Sequence, residues 1–555
     1  MQYTADFETT TTPDDCRVWA WATCEIGDFQ NKQYGNSTDS FILWCEENSP
    51  VTVYFHNLKF DGQFIISYLL QNDYEFTINK TIKPNQFTAL IGEKNEFYSI
   101  KICFWEEGKE KGQVTIYDSL KLLPFSVDDV AKGFDLQIRK LELDYHVSRE
   151  TNHVLTAEEK DYISNDVEIV ARALKILFDE KLTKMTTASN AMHEFKSIFG
   201  KKRFEKIFPP PDYDADIRQS YKGAFTYLNP RFREKDIGEG IVLDVNSLYP
   251  SVMYYRPLPY GEGIFFEGKY KEDKDFPLYV QMIKCQFILK EGMLPTIQIK
   301  HTLSFVETEY LTSSNDEQVT LCLTSVDLDL LLTHYDVYDL QYINGWKFRA
   351  SDKMFRGYID KWNGIKVKAT KEVNKPMRTL AKLMLNSLYG KFAANPVRKR
   401  RIPELDEEGV VRYRLSEPET TNPIYIPVGS FITAWARYIT ITAAQACYER
   451  FIYADTDSLH LVGLEEPKGI EIDDTKLGAW KHESTFSRAR FLRQKSYIEE
   501  IDGNLKITCA GMPKGCYPYV TWENFHTRNE FPGKLKQKVV KGGTVLVESP
   551  HKLRE

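Results

Sequence analysis

Two apolar, β-rich runs of this chain are joined by the residues Asp455-Thr456-Asp457, and this junction constrains the fold more than any other feature. The runs in 451–462 predict a hairpin with both carboxylates at its tip. Such a tip is unfavourable unless cations are held there, because neighbouring like charges repel each other. Asp244 ends another apolar run, where a lone charge is costly unless it is paired. A capping Asp on a buried strand would explain Asp244 alone, but together these residues predict a two-metal site.

Asp6 and Glu8 place two more carboxylates side by side near the start of the chain. Residues 2–7 predict a β-strand, and residues two apart on a strand face the same side. A solvated strand face would explain this pair by itself. The alternative is a pair of divalent cations between hard oxygen ligands, with which many enzymes cleave phosphodiesters.

Two later pieces of sequence extend this acidic set. Asp61 follows a predicted strand, and its neighbours Asn57 and Phe60 could hold an unstacked nucleotide. Tyr162 and Asp166 lie four residues apart in a predicted helix and therefore share one face. With the first pair they give four carboxylates and one phenol in the order D-x-E, D, Y-x-x-x-D.

The charge of the chain is unevenly distributed. The whole chain carries a net charge of −7, which at first argues against a polyanionic partner. Residues 357–401, however, hold 12 basic and 2 acidic residues, and residues 488–555 hold 13 basic and 7 acidic residues. These segments are either solvated faces or grooves that follow a phosphate backbone.

Lys382, Asn386 and Tyr389 share one face of a predicted helix inside the first basic segment. The ordinary explanation of such a stripe is the polar side of an amphipathic helix. The alternative is a Lys that faces a triphosphate and neutralises charge on the leaving pyrophosphate.

Length and composition exclude several classes of protein. A chain of 555 residues is long enough for about three or four folding units, and 42% hydrophobic with 13% aromatic residues is typical of a globular protein. No apolar run reaches the ~18 residues of a membrane helix, and the first residues lack a signal-peptide pattern. The nine cysteines form no C-x-x-C pair. We therefore expect a protein of the reducing cytoplasm, without membrane contact, disulfide framework or zinc module.

The remaining pattern predicts mixed α and β structure. Residues 246–355, rich in Gly, Pro and Tyr, and the charged segment 395–427 are expected to be largely irregular. Thr156 and Glu159 have the spacing of a capping box. The predicted strands are 2–7, 52–55, 98–104, 114–117 and 241–245, the predicted helices are 158–178, 377–392 and 433–450, and 451–462 is the hairpin.

Taken in order, these motifs resemble those of a known family. DVNSLYP at 244–250, KLMLNSLYG at 382–390 and YADTDS at 453–458 are similar to motifs A, B and C of family B DNA polymerases. The upstream acidic set resembles their proofreading 3′-5′ exonuclease. The segments DFETTT, YFHNLKFDG, FITAWARY and LRQKSY extend the similarity along nearly the whole chain, and they are most similar to the protein-primed branch of the family.

The resemblance implies an α+β multidomain fold, in which a ribonuclease-H-like exonuclease domain is joined to a right-hand polymerase with two insertions. The implied parts are the exonuclease domain (1–185), the first part of the palm (186–256), insertion 1 for terminal-protein and template contacts (257–355), the fingers (356–392), insertion 2 for strand displacement and processivity (393–421), the second part of the palm (422–509) and the thumb (510–555).

The resemblance also implies roles in polymerisation. Asp244 and Asp457, with the backbone carbonyl of Val245, would hold the metals beside Asp455. Tyr249 would stack under the incoming sugar and exclude a 2′-hydroxyl. The other matching residues would contact the triphosphate (Lys382, Arg378 and either Lys366 or Lys371), line the nascent base pair (Asn386, Tyr389), hold the primer end (Lys495, Tyr497), bind template or primer phosphates (Thr433, Arg437) or bind template between the two active sites (Tyr221, Gly223).

On the exonuclease side, the resemblance implies that the acidic set holds two metals. Tyr162 would orient the attacking water, and Lys140 would assist at the phosphate. Asn57 and Phe60 would contact single-stranded DNA. The implied metal ligands are Asp6, Glu8, Asp61 and Asp166.

The implied function is a DNA-directed DNA polymerase that replicates a linear phage genome. Synthesis would be protein-primed, strand-displacing and processive, with 3′-5′ proofreading. Each active site would use two Mg²⁺ ions, for which Mn²⁺ could substitute. The implied partners are DNA template and primer, deoxynucleoside triphosphates, a terminal protein and phage single-strand and double-strand binding proteins, all in the host bacterial cytoplasm.

Three other functions remain open from the sequence. A nuclease that uses the rest of the chain to hold nucleic acid would leave Asp244, Asp455 and Asp457 unexplained. A single-strand binder would use the many aromatic residues for stacking and need no metal. An ordinary family B polymerase would extend nucleic-acid primers only.

Overall fold

The computed structural model describes residues 1–108, 110–144, 147–298 and 310–554. Residues 299–309, which belong to the predicted insertion 1, lie outside the described residues. None of the helices in the described ranges combines the length and the apolar character needed to cross a bilayer.

The first part of the chain is a mixed eight-stranded sheet with helices packed on it. Its strands are β1 (Gln2–Thr9), β2 (Val18–Glu25), β3 (Lys32–Gly35), β4 (Val51–Phe55), β5 (Glu75–Phe76), β6 (Gln86–Ile91), β7 (Phe97–Glu107) and β8 (Glu110–Asp118), and its helices are α1 (Thr38–Glu47), α2 (Leu58–Gln71), α3 (Val127–Gly133) and α4 (Ala157–Asp179).

The centre of this sheet brings three acidic segments together. β1 and β4 are parallel neighbours in the order β3-β2-β1-β4-β8-β7-β6-β5. α4 packs against β1 and β2, and the Thr4 hydroxyl donates a hydrogen bond to the Val167 carbonyl at 2.7 Å. The predicted capping box of Thr156 and Glu159 begins α4. The carboxylates of β1, α2 and α4 therefore face one another.

The middle of the chain contains a five-stranded sheet with helices on it, and its strands in spatial order are β24 (Trp480–Phe486), β11 (Gly240–Val245), β23 (Ser458–Val462), β22 (Phe451–Asp455) and β9 (Thr226–Leu228). The elements up to its first acidic strand are α5 (Thr187–Phe199), α6 (Lys201–Ile207), α7 (Asp214–Arg218), β9 (Thr226–Leu228), β10 (Asp236–Ile237), β11 (Gly240–Val245) and α8 (Leu248–Tyr255).

The segment after α8 is ordered into a sheet, so the expectation of irregular structure in 246–355 was wrong. Four strands pair antiparallel in the order β12-β17-β13-β16. Gly345 lies inside the longest of these strands. A Cβ at this position would be 2.2 Å from the Val280 carbonyl oxygen, so the close approach of the strands requires a glycine there. The elements are β12 (Leu258–Glu267), β13 (Leu278–Leu289), β14 (Ile297–Gln298), β15 (Tyr310–Leu311), β16 (Val319–Thr324), α9 (Ser325–His334) and β17 (Tyr335–Ser351).

The next segment contains the paired helices α10 (Arg356–Lys371) and α11 (Lys375–Ser387), followed by α12 (Tyr389–Phe392). The predicted helix 377–392 is therefore interrupted at Leu388. The predicted loop 395–427 was also wrong in part, since it contains two small antiparallel pairs. These strands are β18 (Val397–Arg398), β19 (Arg401–Leu405), β20 (Val411–Leu415) and β21 (Glu419–Thr420).

A long helix, α13 (Ile426–Ala446), leads into the predicted acidic hairpin. It begins earlier than the predicted 433 because Pro427 occupies its first turn, where proline is tolerated. The hairpin itself forms as expected. The remaining strands are β22 (Phe451–Asp455), β23 (Ser458–Val462), β24 (Trp480–Phe486), β25 (Arg488–Arg493), β26 (Ser496–Ile501), β27 (Asn504–Cys509), β28 (Glu530–Val540) and β29 (Gly543–Lys552).

The last hairpin, β28 with β29, reaches back to the first part of the chain. Its strand β29 packs against α2, and the Gln537 side-chain amide donates a hydrogen bond to the Lys59 carbonyl at 3.2 Å. The Cys16 thiol donates to the Thr544 carbonyl at 3.5 Å. The last hairpin is therefore in contact with the first part of the chain.

Candidate active sites

The cluster of Asp244, Asp455 and Asp457, here called the second acidic cluster, forms where β11 lies between β23 and β24. Asp244 is opposite Ser458 on one side, and the Val245 N–H donates to the Asp457 carbonyl at 2.8 Å. Burial and the neighbouring Asp244 and Asp455 charges raise the pKa of Asp457 to about 6. Burial also raises the pKa of Asp244. The structure thus brings together the carboxylates that the sequence predicts to meet.

Asp455 is held on the other side of the hairpin tip. Its carboxylate accepts a hydrogen bond from the Thr226 hydroxyl at 3.1 Å and pairs with Lys495 Nζ at 3.0 Å. The Tyr453 hydroxyl donates to the same carboxylate at 3.3 Å and accepts the Lys495 N–H at 2.9 Å. Lys495 is therefore tied to the acidic hairpin by both its backbone and its side chain.

A cavity of about 360 Å³ opens beside Asp244 and Asp457. Lys366 lines this cavity, whereas the exposed Lys371 ends α10 outside its lining. Of the two lysines that the sequence left as alternatives, the structure therefore places Lys366 and not Lys371 in the lining of this cavity. The lining residues are Asp244, Val245, Asn246, Ser247, Leu248, Tyr249, Lys366, Lys382, Asn386, Tyr389, Asp457 and Lys481.

Several cations converge on this cavity. Burial, followed by the charge of Arg378, lowers the pKa of Lys382. Burial and the charge of Lys382 lower the pKa of Lys366 in the same way. Lys366 Nζ also donates to the Ser247 hydroxyl at 3.1 Å. Gathered positive charge of this kind is costly unless an anionic ligand binds there.

Tyr249 and Tyr389 form one wall of the cavity. Their rings stack with centroids 4.0 Å apart and an angle of 16° between the planes. Although the predicted helix is interrupted before Tyr389, this ring still lines the same cavity as Lys382 and Asn386. The predicted polar stripe therefore faces a cavity.

Thr433 and Arg437 are placed differently from the prediction, since both are buried in α13. Arg437 is 1% exposed and binds Asp327 of α9 through two nitrogens, with its closest contacts at 2.8 Å. Arg437 also donates to the carbonyls of Lys222 and Gly223. The hydroxyl of Thr433 donates to carbonyls within its own helix. Neither side chain reaches the surface in this conformation, and the contact of these two residues with DNA phosphates stays a prediction.

The segment that Arg437 holds is the predicted template-binding motif. Gly223 is exposed, and within the part of the chain that the structure describes no atom lies within 4 Å of a Cβ built there. Tyr221 is half-buried, and burial raises its pKa. Arg437 therefore acts on this motif by fixing its backbone.

Tyr497, predicted to hold the primer end, lies in an aromatic cluster. Its ring stacks on Phe491 with centroids 4.7 Å apart and contacts His460 edge-on. Burial raises the pKa of Tyr497, which is 8% exposed. A primer could contact the Tyr497 ring directly only at the edge of the ring. The packing of this ring therefore mainly positions the strand that follows Lys495.

The first acidic cluster, which consists of Asp6, Glu8, Asp61 and Asp166, is more deeply buried than the second. Glu8, Asp61 and Asp166 are each 4% exposed. Burial and the Asp166 charge raise the pKa of Asp6 to about 7, and burial with the Asp6 charge raises the pKa of Asp61. These carboxylates repel one another. The order D-x-E, D, Y-x-x-x-D predicts a site of this kind, in which cations are needed to offset the repulsion.

Lys140 and Tyr162 complete this cluster. Lys140 forms an ion pair with Asp166, and its ammonium lies 5.3 Å from the centre of the Tyr162 ring. The other Asp166 oxygen, Oδ1, is buried and has no hydrogen-bond partner among the described residues. A buried, unsatisfied carboxylate oxygen fits a hard cation as its partner.

Both clusters contain carboxylate oxygens, which Mg²⁺ and Mn²⁺ prefer. Among the described residues, no three His, Cys, Asp or Glu side chains are arranged to ligate one ion as they stand. Lysines are instead paired with Asp166, Asp244 and Asp455. The donor types fit a dication, and binding would require these side chains to draw together.

Asn57 lies at the entrance to the first cluster. It is exposed and has a left-handed backbone conformation, with φ of 75°. Phe60 is half-buried against Phe64, with ring centroids 5.8 Å apart. Both side chains are therefore at the surface, where an unstacked nucleotide could contact them.

Three further residues contribute to these sites but were missed by the sequence analysis. Asp118 accepts hydrogen bonds from the N–H groups of Asn57 and Leu58 and so fixes the loop before α2. Burial is the main cause of the raised pKa of Asp244 and of Asp457, and the charge of Glu483 adds to it. Lys481 pairs with Asp244 at 3.4 Å. Asp118 directly follows the predicted strand 114–117, which is a usable signal, whereas nothing in the local sequence marks the other two.

Comparisons with known proteins agree over the whole chain. A family model described as DNA polymerase type B, organellar and viral, matches residues 44–156 and 147–475. The chain is 49% identical to a DNA polymerase of Bacillus phage M2 over 569 residues, which cover 99% of this chain and 98% of the relative. It is 48% identical to that of Bacillus phage phi29, with 98% of each chain covered, and 35% identical to that of Streptococcus phage Cp-1, with 100% of this chain and 98% of the relative covered.

Solved structures give the same result. Phi29 DNA polymerase complexed with primer-template DNA and incoming nucleotide substrates matches with a TM-score of 0.94 and 47% identity over 100% of both chains. Its complex with single-stranded DNA matches equally well.

Proposed function

Since this chain belongs to the organellar and viral type B DNA polymerases and is a DNA-directed DNA polymerase of the phi29-like phage group, we propose that it extends DNA at one acidic cluster and shortens it in the 3′-5′ direction at the other. A nuclease without synthesis and a non-enzymatic single-strand binder are set aside by this family membership. The single observation that carries the proposal is the presence of two clusters of mutually repelling carboxylates on two different sheets.

The cluster on β11 and the β22–β23 hairpin is the proposed site of synthesis. Asp244 and Asp457 would hold the dications, with the Val245 carbonyl and with Asp455 beside them. The dications would polarise the α-phosphate and stabilise the charge that develops during transfer. Lys366 and Lys382 would bind the triphosphate in the adjoining cavity, and Asn386 would face the nascent base pair.

The cluster on β1, α2 and α4 is the proposed proofreading site. Asp6, Glu8, Asp61 and Asp166 would hold the dications that this hydrolysis uses. Tyr162 would orient the attacking water, and Lys140 would exchange its ion pair with Asp166 for the scissile phosphate.

These roles assign the parts of the fold. The eight-stranded unit would be a ribonuclease-H-like exonuclease domain. The five-stranded sheet would be the palm, α10 and α11 would be the fingers, and the β28–β29 hairpin would belong to the thumb. The contact of that hairpin with α2 supports a path for DNA that passes both sites.

We propose that insertion 1, residues 257–355, receives a terminal protein that supplies the priming hydroxyl. Its sheet exposes the apolar residues Phe265, Tyr338 and Ile343, which a protein partner could cover. The test is incubation with the cognate terminal protein and one labelled nucleotide. A labelled protein–nucleotide adduct supports priming by protein, and extension of DNA primers alone would favour an ordinary family B polymerase.

Phage single-strand and double-strand binding proteins as partners, and the host cytoplasm as compartment, stay predictions.

We propose strand displacement from the position of insertion 2, residues 393–421. It docks on the exonuclease unit, where the Tyr413 hydroxyl donates to the Gln63 side chain at 2.7 Å. A cleft of about 720 Å³ lies between the two parts, and a strand held in it would be separated from its complement. Its basic lining residues are Lys94, Lys121, Lys391, Arg398, Lys399 and Arg400.

The experiment that tests both activities is a gel assay with a hairpin primer-template and a divalent metal. With nucleotides the primer should lengthen, and without them it should shorten from the 3′ end. Lengthening without shortening would leave the first acidic cluster without its proposed role.

Replacing Tyr249 by Val should admit ribonucleotides, because the stacked ring borders the proposed sugar site. We expect the preference for deoxynucleotides to fall by about 10- to 100-fold, as for a contact that discriminates one hydroxyl. The measurement is kcat/KM for a matched ribonucleotide and deoxynucleotide. Tyr255→Val, at an exposed position of the same helix, is the control. Unchanged discrimination in the Tyr249 variant would remove this role.

Dications should stabilise the protein more at pH 8 than at pH 5. The pKa values of Asp6 and Asp457 are raised to about 7 and about 6, so the folded protein binds their protons more tightly than the unfolded chain does. Without metal, ionisation of these two carboxyl groups therefore lowers the free energy of unfolding as the pH rises from about 4 to about 7. The measurement is Tm in EDTA and in millimolar Mg²⁺ at both pH values. An equal Mg²⁺-dependent gain at both would contradict the placement of the cations.

A further inference from the structure

Lys481 lies directly opposite Asp244, although no motif in the sequence points to it. The two residues are register partners on β24 and β11, and β24 is an edge strand of the sheet. Lys481 Nζ is 3.4 Å from Asp244 Oδ2, and the two side chains are 36% and 25% exposed. The ion pair is therefore accessible from the cavity.

Lys481 also belongs to the group of cations that faces the triphosphate site. It lines the same cavity as Lys366 and Lys382. Its positive charge contributes to lowering the pKa of both lysines, behind the larger effect of burial. The same ammonium thus lies between a carboxylate that should bind a dication and two lysines that should bind phosphate.

We propose that Lys481 is a displaceable counter-ion, which neutralises Asp244 in the empty site and moves to the triphosphate when a dication and a nucleotide enter. This rests on the proposed function, in which Asp244 is a dication ligand. A dication on Asp244 repels the ammonium, and the flexible four-carbon stem of lysine allows the charge to turn towards a nearby anion.

The two states have opposite consequences. In the empty site Lys481 competes with the dication, so it weakens metal binding. In the nucleotide complex it adds a charge-assisted hydrogen bond to phosphate, so it strengthens nucleotide binding. A residue with only a structural role on the edge strand would not shift these two equilibria in opposite directions.

The experiment compares Lys481→Met and Lys481→Arg in full-length protein that carries Asp6→Ala and Glu8→Ala, which weaken the other acidic cluster. Mn²⁺ binding without nucleotide is followed by electron paramagnetic resonance. We expect Lys481→Met to lower the Kd for Mn²⁺ about two- to fivefold, as expected for removal of a partly exposed ion pair. We expect the KM for a deoxynucleoside triphosphate to rise about five- to tenfold, with a smaller change in kcat. Lys481→Arg should stay close to the parent in both.

Asp244→Asn separates failure of this inference from failure of the proposed function. If Asp244→Asn keeps full synthesis, the proposed function itself is wrong. If it abolishes synthesis but Lys481→Met changes neither Mn²⁺ affinity nor nucleotide KM, only the counter-ion role is overturned. Lys481→Gln is the second neutral variant, and loss of both affinities in both neutral variants would also overturn the inference.

Discussion

Asp457→Ala should abolish nucleotide incorporation and leave 3′-5′ degradation of a single-stranded primer intact. Asp457 lies beside Asp244 at the hairpin tip, where burial and the charges of Asp244 and Asp455 raise its pKa to about 6. Without this carboxylate the site loses a ligand for the dications, which supply several kcal/mol of transition-state stabilisation. We expect a loss of at least about 10³-fold in the rate of incorporation, which is equivalent to about 4 kcal/mol.

The measurement is single-nucleotide extension of a labelled primer, alongside degradation of the same primer without nucleotides. Asp474→Ala removes an exposed carboxylate in the same part of the chain and should change neither activity. Loss of both activities in Asp457→Ala, with the protein still folded, would count against two separate sites.

The double replacement Asp6→Ala, Glu8→Ala should have the reverse effect. Both carboxylates belong to the buried cluster of β1, α2 and α4, and burial together with the charge of Asp166 raises the pKa of Asp6 to about 7. Their removal takes away two of the four proposed ligands, so 3′-5′ degradation should fall by at least about 10³-fold while incorporation persists. Misincorporated ends should then accumulate in the product.

The same extension and degradation assays check this double variant. Asp14→Ala, an exposed acidic position near β1, is the matched control. Persistent 3′-5′ degradation would show that the first cluster is not the proofreading site. Loss of synthesis as well would show that this cluster supports the polymerisation site.

Asp6, Glu8, Asp244 and Asp455 could be found from sequence because short apolar strands carry them. A charge at the end of such a strand is costly, so its partners could be inferred without knowing the rest of the fold. The same logic does not reach Arg437, whose partner Asp327 is 110 residues away, within residues 257–355. Local sequence gives no sign of that pairing, so the burial of Arg437 could not be foreseen, and its contact with DNA phosphates stays a prediction.

Insertion 1 shows a second reason for failure. Its Gly and Pro residues predict irregular structure when they are counted locally. In the fold, Gly345 allows close approach between two paired strands, and this contact joins positions that are distant in sequence. Local composition cannot distinguish a glycine that breaks a strand from one that lets strands pack.

The sequence by itself determined which carboxylates cluster, which helix face carries Lys382 and Asn386, and the family to which the chain is similar. These features follow from patterns within single strands and helices, where the spacing of residues sets the direction of their side chains. Only the tertiary structure decided that Lys366 lines the cavity beside Asp244 and Asp457, that Arg437 is buried and that Lys481 faces Asp244. Each of these depends on pairing between distant segments, and the register of such pairing is set by the packing of the whole sheet.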